Sequence, residues 1–516
     1  MKNLRFISLF LSLLISTALT AQYIEYEGCT SVIVGKKASA DGSTMTSHTC
    51  DSGTDRTWIN IVPNRKHKAG SETPVYQNPK RSSGPGDPDM IEAGYIEQER
   101  ETFAYINTAY PVMNEHQLAI GETTFGGKRE LRSDEGLLNC PELYRLALER
   151  AKTAREAIRV IDELTRQYGY NDVGECFTFA DPEETWHFEI LGPGKGKIGA
   201  VWAAVRIPDD EVGVSANASR IRTLDLDDSE NYMASDNVYS LAQEMGWWDR
   251  ERDGEFEFCY AYANRRSLAC RRREWRVLSL VAPGLNLDPN GENFPLSVRP
   301  EKKLSVKDVL AIFRDYYQGT PYDMTNSLVV RNREGEYTKS PVANPFMSSD
   351  TRDLLGIARE RTIACPRATY VQVTQSRNWL PDALGGVVWL GYDNPCTTPH
   401  LPFYCGMTRM PESYMVDGRR EFRRDCAWWA FRRVSQLSYM RYQPMSRDIE
   451  AVWSEMENSL FAGQEDFEDY ILQQMKKDED RAKAELTKYC IENAEKAVND
   501  YWQLGDELWG KYTNYF

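Results

Sequence analysis

The sequence predicts an α+β fold with antiparallel sheets, and three observations carry that prediction. Short β-branched and aromatic runs come in blocks divided by turn residues, long helical patterns stand between and after the blocks, and regular strand-helix alternation is absent. A doubly wound parallel sheet requires that alternation. The first block, 29–62, holds Thr30-Ser31-Val32-Ile33-Val34 and Trp58-Ile59-Asn60-Ile61-Val62. The second spans 103–125. The third, 176–216, contains Phe177-Thr178-Phe179-Ala180, Trp186-His187-Phe188-Glu189-Ile190 and the run from Ile198 to Ile207. The glycines between Gly192 and Lys197 resemble a phosphate loop only superficially. No Ser or Thr follows the lysine, and a strand pattern follows the segment, so it reads as a loop joining two antiparallel strands.

Apolar residues at Leu143, Leu146, Ala147, Ala154, Ala157, Ile158, Ile161 and Leu164 predict a helix from Pro141 to Tyr168. A second helix is predicted from Val306 to Tyr317, with Ser305 as N-cap and Asp308 in its first turn. From Arg447 to Lys511 the chain is rich in Glu, Lys, Ala and Leu, contains no proline, and reads as two or more helices. No internal repeat appears.

The first fifty residues speak about compartment. Lys2 and Arg5 precede an apolar run from Phe6 to Ile15, which closes on the small residues Ala18 to Ala21; this is the pattern of a secretory signal peptide. Cleavage after Ala21 leaves Gln22 to Gly28 as a short propeptide before Cys29. An anchor that is never removed and a lipobox are the competing readings. No other segment carries 18 apolar residues in a row, so no stable membrane span is expected once the signal is gone. The expected organisation is a signal peptide at 1–21, a propeptide at 22–28, a catalytic domain at 29–440 and a helical extension at 441–516, in an exported protein.

A formal charge of −15 argues against nucleic acid as a partner. The basic run Arg271-Arg272-Arg273 reads as a solvated face or an ion-pair site. With 11 cysteines, one thiol must stay free. Cys396 and Cys405 flank a Pro-rich loop and suit either a disulfide or two reduced core thiols. C-x-x-C and H-E-x-x-H are absent and the five histidines are scattered, so neither a metal nor another cofactor is expected.

The chemistry concentrates around Cys29. A strand from it turns near residues 39–42 and runs back through Ser47-His48-Thr49-Cys50-Asp51, placing a thiol, an imidazole and a carboxylate near one strand end. Were the chain to begin at Cys29 by cleavage after Gly28, its α-amino group, titrating near 7.7–8.0, would be a local base for the thiol. Asp51 is then a candidate to hold the amine, or only the cap of the turn before Gly53. His48 is a candidate catalytic or structural histidine.

Cys29-Thr30-Ser31 with Val34-Gly35-Lys36, Ala38 and Asp41-Gly42-Ser43-Thr44 resembles the amino terminus of the N-terminal-nucleophile cysteine dipeptidases, the family of bacterial dipeptidase A and the secernins. The resemblance continues through Asn114-Glu115, Leu118 to Phe125, Phe179-Ala180-Asp181, Trp186 to Glu189, Val212 to Asn217 and Glu274 to Ser279, and so spans most of 29–440. It implies a four-layer αββα sandwich, autocatalytic exposure of Cys29, and short peptides as substrates. In the wider superfamily of penicillin V acylase and bile salt hydrolase, an Arg and an Asp follow the nucleophile on the second strand; Asp51 matches the carboxylate, while His48 stands where those acylases carry Arg. The resemblance also makes Asn217 the oxyanion asparagine, with a turn residue as the alternative, and puts Thr124 near the second oxyanion donor. Asn114 and Glu122 are the expected substrate-binding residues, Glu122 facing either a substrate ammonium or a surface lysine. An acylase acting on apolar acyl groups and a noncatalytic binding protein are the other function classes. Homo-oligomer formation stays open.

Overall fold

The computed structural model describes residues 28–53, 55–77, 87, 89–263 and 267–514. The expected signal peptide and all of the propeptide but Gly28 lie outside these residues.

Two strands start the fold and belong to different sheets. Ser31–Val34 pairs antiparallel with Val212–Ser215, which in turn pairs with Ser297–Val298; Ser31 lies opposite Ser215, so Asn217 follows close to the start of the first strand. After a turn through Gly42, which has a φ of 92° that favours glycine, the chain returns as Ser47–Cys50. This strand edges a four-stranded antiparallel sheet with Tyr370–Gln375, Val387–Tyr392 and Leu401–Tyr404. The predicted hairpin is real at its open end, where the Thr49 N–H donates to Thr30 O at 3.0 Å and the Thr30 N–H to Thr49 Oγ1 at 2.8 Å.

An eight-stranded antiparallel sheet contains, in spatial order, Tyr232–Ala234, Val201–Ile207, Thr185–Leu191, Gly174–Ala180, Ala119–Gly126, Met113–Asn114, Tyr105–Asn107 and Asn60–Val62. Its central strands are buried on both faces, which is why they read as near-continuous apolar and aromatic runs. The residues from Gly192 to Lys197 lie in the loop between two of these antiparallel neighbours, as expected. This sheet packs against the strands carrying Cys29 and His48: Thr178 Oγ1 lies 2.7 Å from Ser31 Oγ and 2.6 Å from Thr46 Oγ1. At the crossing, a Cβ on Gly121 would stand 2.3 Å from Ser47 O, so only glycine permits this approach.

The predicted 141–168 helix is two helices, Cys140–Arg150 and Ala154–Tyr168. Thr153 caps the second through the Glu156 N–H, and Glu156 accepts from the Lys152 N–H at 2.8 Å, a cap stronger than the periodicity running across it. Val306–Phe313 has the expected Ser305–Asp308 capping box but stops short of Tyr317, whose φ of 68° is left-handed. Leu268–Val281 packs on Val212–Ser215, and Val306–Phe313 on Tyr370–Gln375.

The C-terminal region is two long helices, Tyr442–Met475 and Glu479–Thr513. They share the main hydrophobic core through Met445, Ile449, Leu486, Ala494 and Tyr501. A buried ion pair registers the first of them on the sheet. Arg377 binds Glu468 through both nitrogens at 2.8 Å, and Tyr404 Oη donates to the same carboxylate at 2.8 Å. Cys396 and Cys405 are both reduced thiols, so the disulfide alternative for them does not hold: Cys396 Sγ donates to Arg314 O, and Cys405 Sγ to Asp382 O.

Candidate active site

Cys29 sits just before the first strand, directly after Gly28, and is almost fully buried. Its Sγ, a ring nitrogen of His48 and a carboxylate oxygen of Glu122 all lie within 4.8 Å of one another. His48 arrives on the returning strand and Glu122 on the central strand of the eight-stranded sheet, so the crossing of the sheets brings the three together. His48 Nε2 and Glu122 Oε2 are 3.2 Å apart, an ion-pair contact whose angles fall short of a hydrogen bond. Tyr110 and Tyr370 fix the imidazole edge-on, with ring centroids at 5.3 and 5.6 Å. Thiol, imidazole and carboxylate are donors that suit a borderline cation such as zinc; here the imidazole already lies against the carboxylate.

Burial and the nearby Glu122, Cys50 and Asp51 charges push the Cys29 thiol well above its ordinary range, so in the uncleaved chain it is protonated. Burial also pushes Glu122 upward, but the close contact with His48 and its charge, with help from Glu175 and Cys29, outweigh it and leave the carboxyl below its usual range. Glu175, opposite Thr124 in the sheet register, goes the other way: burial and the Glu122 charge raise it well above the carboxylate range. The two carboxyl groups are thus driven apart, Glu122 downward and Glu175 upward, which favours a shared proton on Glu175.

A prediction follows from that pair. A carboxyl whose pKa is higher in the folded state than the unfolded value near 4.3 adds most stability below that value and loses it as pH rises through the folded pKa. Glu175→Gln copies the neutral form, so the variant should melt above the wild type at pH 8. The gap should narrow as pH falls toward 4, and a gap that is constant across pH would contradict the assignment.

Asp51 does not cap the turn at Gly53. Its Oδ2 accepts from Arg361 Nη2 and, at 3.1 Å, from Thr49 Oγ1, while its Oδ1 is buried without a hydrogen-bond partner among the described residues. Burial raises the Asp51 pKa against the opposing pull of Arg361 and Arg273. Asn217 has a φ of 61°, the left-handed conformation that Asn tolerates and that costs energy in most residues. Its Nδ2 donates to Thr124 O at 2.7 Å and its Oδ1 accepts from Arg273 Nη2 at 2.8 Å. The same Nδ2 lies 3.9 Å from the position a Cβ on Gly28 would occupy. The Thr124 hydroxyl is turned to Glu122 Oε1 at 2.8 Å.

Two expectations change. Asn114 is a scaffold residue rather than a substrate ligand: its Nδ2 donates to Leu148 O and Ala151 O, and its Oδ1 accepts from the His116 and Leu118 N–H groups. Glu122 is wholly buried against His48, not paired with a surface lysine. Of the two readings of the basic run, the ion-pair site holds and the solvated face does not. Arg272 pairs with Glu360 at 2.6 Å, and Arg273 is fully buried at Cys29.

Two buried arginines beside Gly28, Arg273 and Arg361, are the site neighbours that sequence reasoning missed. Arg273 Nη1 donates to Gly28 O at 3.2 Å, Cys29 O at 2.7 Å and Thr30 Oγ1 at 2.9 Å. Arg361 Nη2 also donates to Gly28 O. Arg361 reaches Asp51 from a loop distant in sequence.

The family model described as Peptidase family C69 matches residues 28–455. A probable dipeptidase of Latilactobacillus sakei is 26% identical over 407 residues, covering 76% of this chain and 77% of that protein. One of Salmonella dublin is 28% identical over 404 residues, covering 73% and 81%. Dipeptidase A of Lactobacillus helveticus is 24% identical over 438 residues, covering 80% and 82%.

Proposed function

The chain belongs to peptidase family C69 and is a peptide-bond hydrolase; from that premise we propose that it is an exported cysteine dipeptidase of the N-terminal-nucleophile type, on an αββα sandwich, with Cys29 as the first residue of the mature enzyme. The observation that carries this reading is the surroundings of Cys29: a thiol at the start of a strand, a carboxyl and an imidazole within 4.8 Å of its sulfur, and an asparagine amide close to the preceding residue, Gly28. The signal-peptide pattern supports export, and the relatives named dipeptidase support short peptides as substrates.

Removal of the residues before Cys29 turns its amide nitrogen into an amine that titrates near 7.7–8.0, in reach of its own thiol. The amine takes the thiol proton, the sulfur attacks the substrate carbonyl, and the Asn217 amide donates to the oxygen as charge develops there. The amine then protonates the leaving amino acid, and water hydrolyses the acyl-enzyme. Asp51, with one buried oxygen lacking a hydrogen-bond partner among the described residues, is the carboxylate that holds the protonated amine.

Turnover of a dipeptide panel against a panel of phenoxyacetyl and bile-acid amides tests the substrate class. Dipeptides should be hydrolysed and the amides left intact; cleavage of the amides alone would assign an acylase instead.

A further inference from the structure

We propose that Arg273 and Arg361 form an electrophilic clamp on the Gly28 carbonyl that drives the chain's own cleavage between Gly28 and Cys29. This rests on the reading of Cys29 as nucleophile and adds to it a catalytic pair for the processing step.

Both guanidiniums converge on the oxygen of the bond that has to break. Gly28 O accepts from Arg273 Nη1 at 3.2 Å and from Arg361 Nη2, and Arg273 Nη1 also holds the next carbonyl, Cys29 O, at 2.7 Å. Arg361 has the carboxylate of Asp51 as counter-ion. Arg273 has no carboxylate in ion-pair contact among the described residues and only the more distant charge of Asp51: it is fully buried, and its hydrogen-bond acceptors are the carbonyls of Gly28, Cys29, Ala216 and Ala269, the Thr30 hydroxyl, the Asn217 amide oxygen and the Cys270 sulfur. A buried cation with only neutral hydrogen-bond partners is costly, and a guanidinium cannot escape by losing its proton. The cost has a use if negative charge forms beside it, because a fixed charge in a dry site stabilises a developing oxyanion without reorganising.

Thiol attack on Gly28 supplies that charge. Cys29 Sγ–H gives its proton to the Glu122 carboxylate, and the sulfur bonds to the Gly28 carbonyl carbon in a five-membered ring while the C=O π pair moves onto the oxygen held by the clamp. Collapse breaks the carbon–nitrogen bond. Its electron pair goes to the Cys29 nitrogen, which takes the proton from Glu122 and becomes the free α-amine, leaving Gly28 as a thioester on Sγ. Water then adds its OH to the Gly28 carbonyl carbon and its proton to sulfur, releasing the segment as a carboxylic acid. Glu122 serves here because the α-amine does not exist before the bond breaks.

The test is the rate at which freshly synthesised full-length chain loses the residues before Cys29, followed by intact mass for the wild type, Cys29→Ala, Arg273→Gln and Arg361→Lys. Arg361→Lys keeps a cation beside Asp51. A parallel form starting Met-Cys29, from which the methionine is removed by an aminopeptidase, shows for each arginine variant whether the fold melts as the wild type does. Variants whose bypass form melts normally should process on the order of 10²-fold more slowly than the wild type, the usual loss for one oxyanion donor. Wild-type processing of both arginine variants, with Cys29→Ala uncleaved, overturns the clamp and leaves the nucleophile standing. Cleavage of Cys29→Ala at the same bond overturns self-processing itself. Slow processing that appears only in variants whose bypass form melts early makes the arginines a structural staple and also overturns the clamp.

Discussion

Cys29→Ala is expected to reduce dipeptide hydrolysis by about 10⁴-fold or more, to the background, because losing the nucleophile removes the acyl-enzyme route and leaves only binding and oxyanion stabilisation. The same variant should keep the residues that precede Cys29, and it should fold: the side chain is nearly buried, but the loss of one sulfur leaves a small cavity at the start of the first strand, not in the centre of the core. Steady-state kinetics, intact mass and a melting curve on one preparation separate the effects. Residual turnover above a few per cent would remove Cys29 from the mechanism.

The second large effect is expected at Asn217. An amide donating to the oxyanion is worth about 2.7 to 4 kcal/mol in the transition state, so its removal should lower kcat by roughly 10² to 10³ while KM changes little. The left-handed φ of 61° decides which variant to make. Alanine at that φ is strained and confounds activity with stability, whereas glycine adopts it freely. Asn217→Gly should therefore lose kcat while keeping most of its thermal stability. A normal kcat with a lowered melting temperature would make Asn217 the keystone of a turn, held by Thr124 O and Arg273, and nothing more.

Local chemistry made much of this legible in the sequence. The hairpin after Cys29, the Ser305 cap and the pair of C-terminal helices each follow from patterns a few residues long, and the structure has all three. The break between Arg150 and Ala154 was also encoded, in Thr153 followed three residues later by Glu156, but uninterrupted apolar spacing hid it. The two arginines at Gly28 were not legible. Arg273 lies in a run whose composition suggests solvent, and its burial comes from the packing of Leu268–Val281 on the Val212–Ser215 strand. Arg361 reaches Asp51 across 310 positions, with no local pattern to announce it. Glu122 and Glu175 became a pair only through strand register, which places Thr124 opposite Glu175 and Glu122 opposite Phe177. His48, ambiguous by itself, acquires a direction from Glu122 on another sheet.

Everything proposed for the reaction depends on one covalent fact, the identity of the first residue of the active enzyme. Intact mass together with N-terminal sequencing of purified, active protein measures it directly. The account predicts a chain that starts at Cys29 with a free α-amine; full activity in a chain that still carries Gly28 or any residue before it would contradict it.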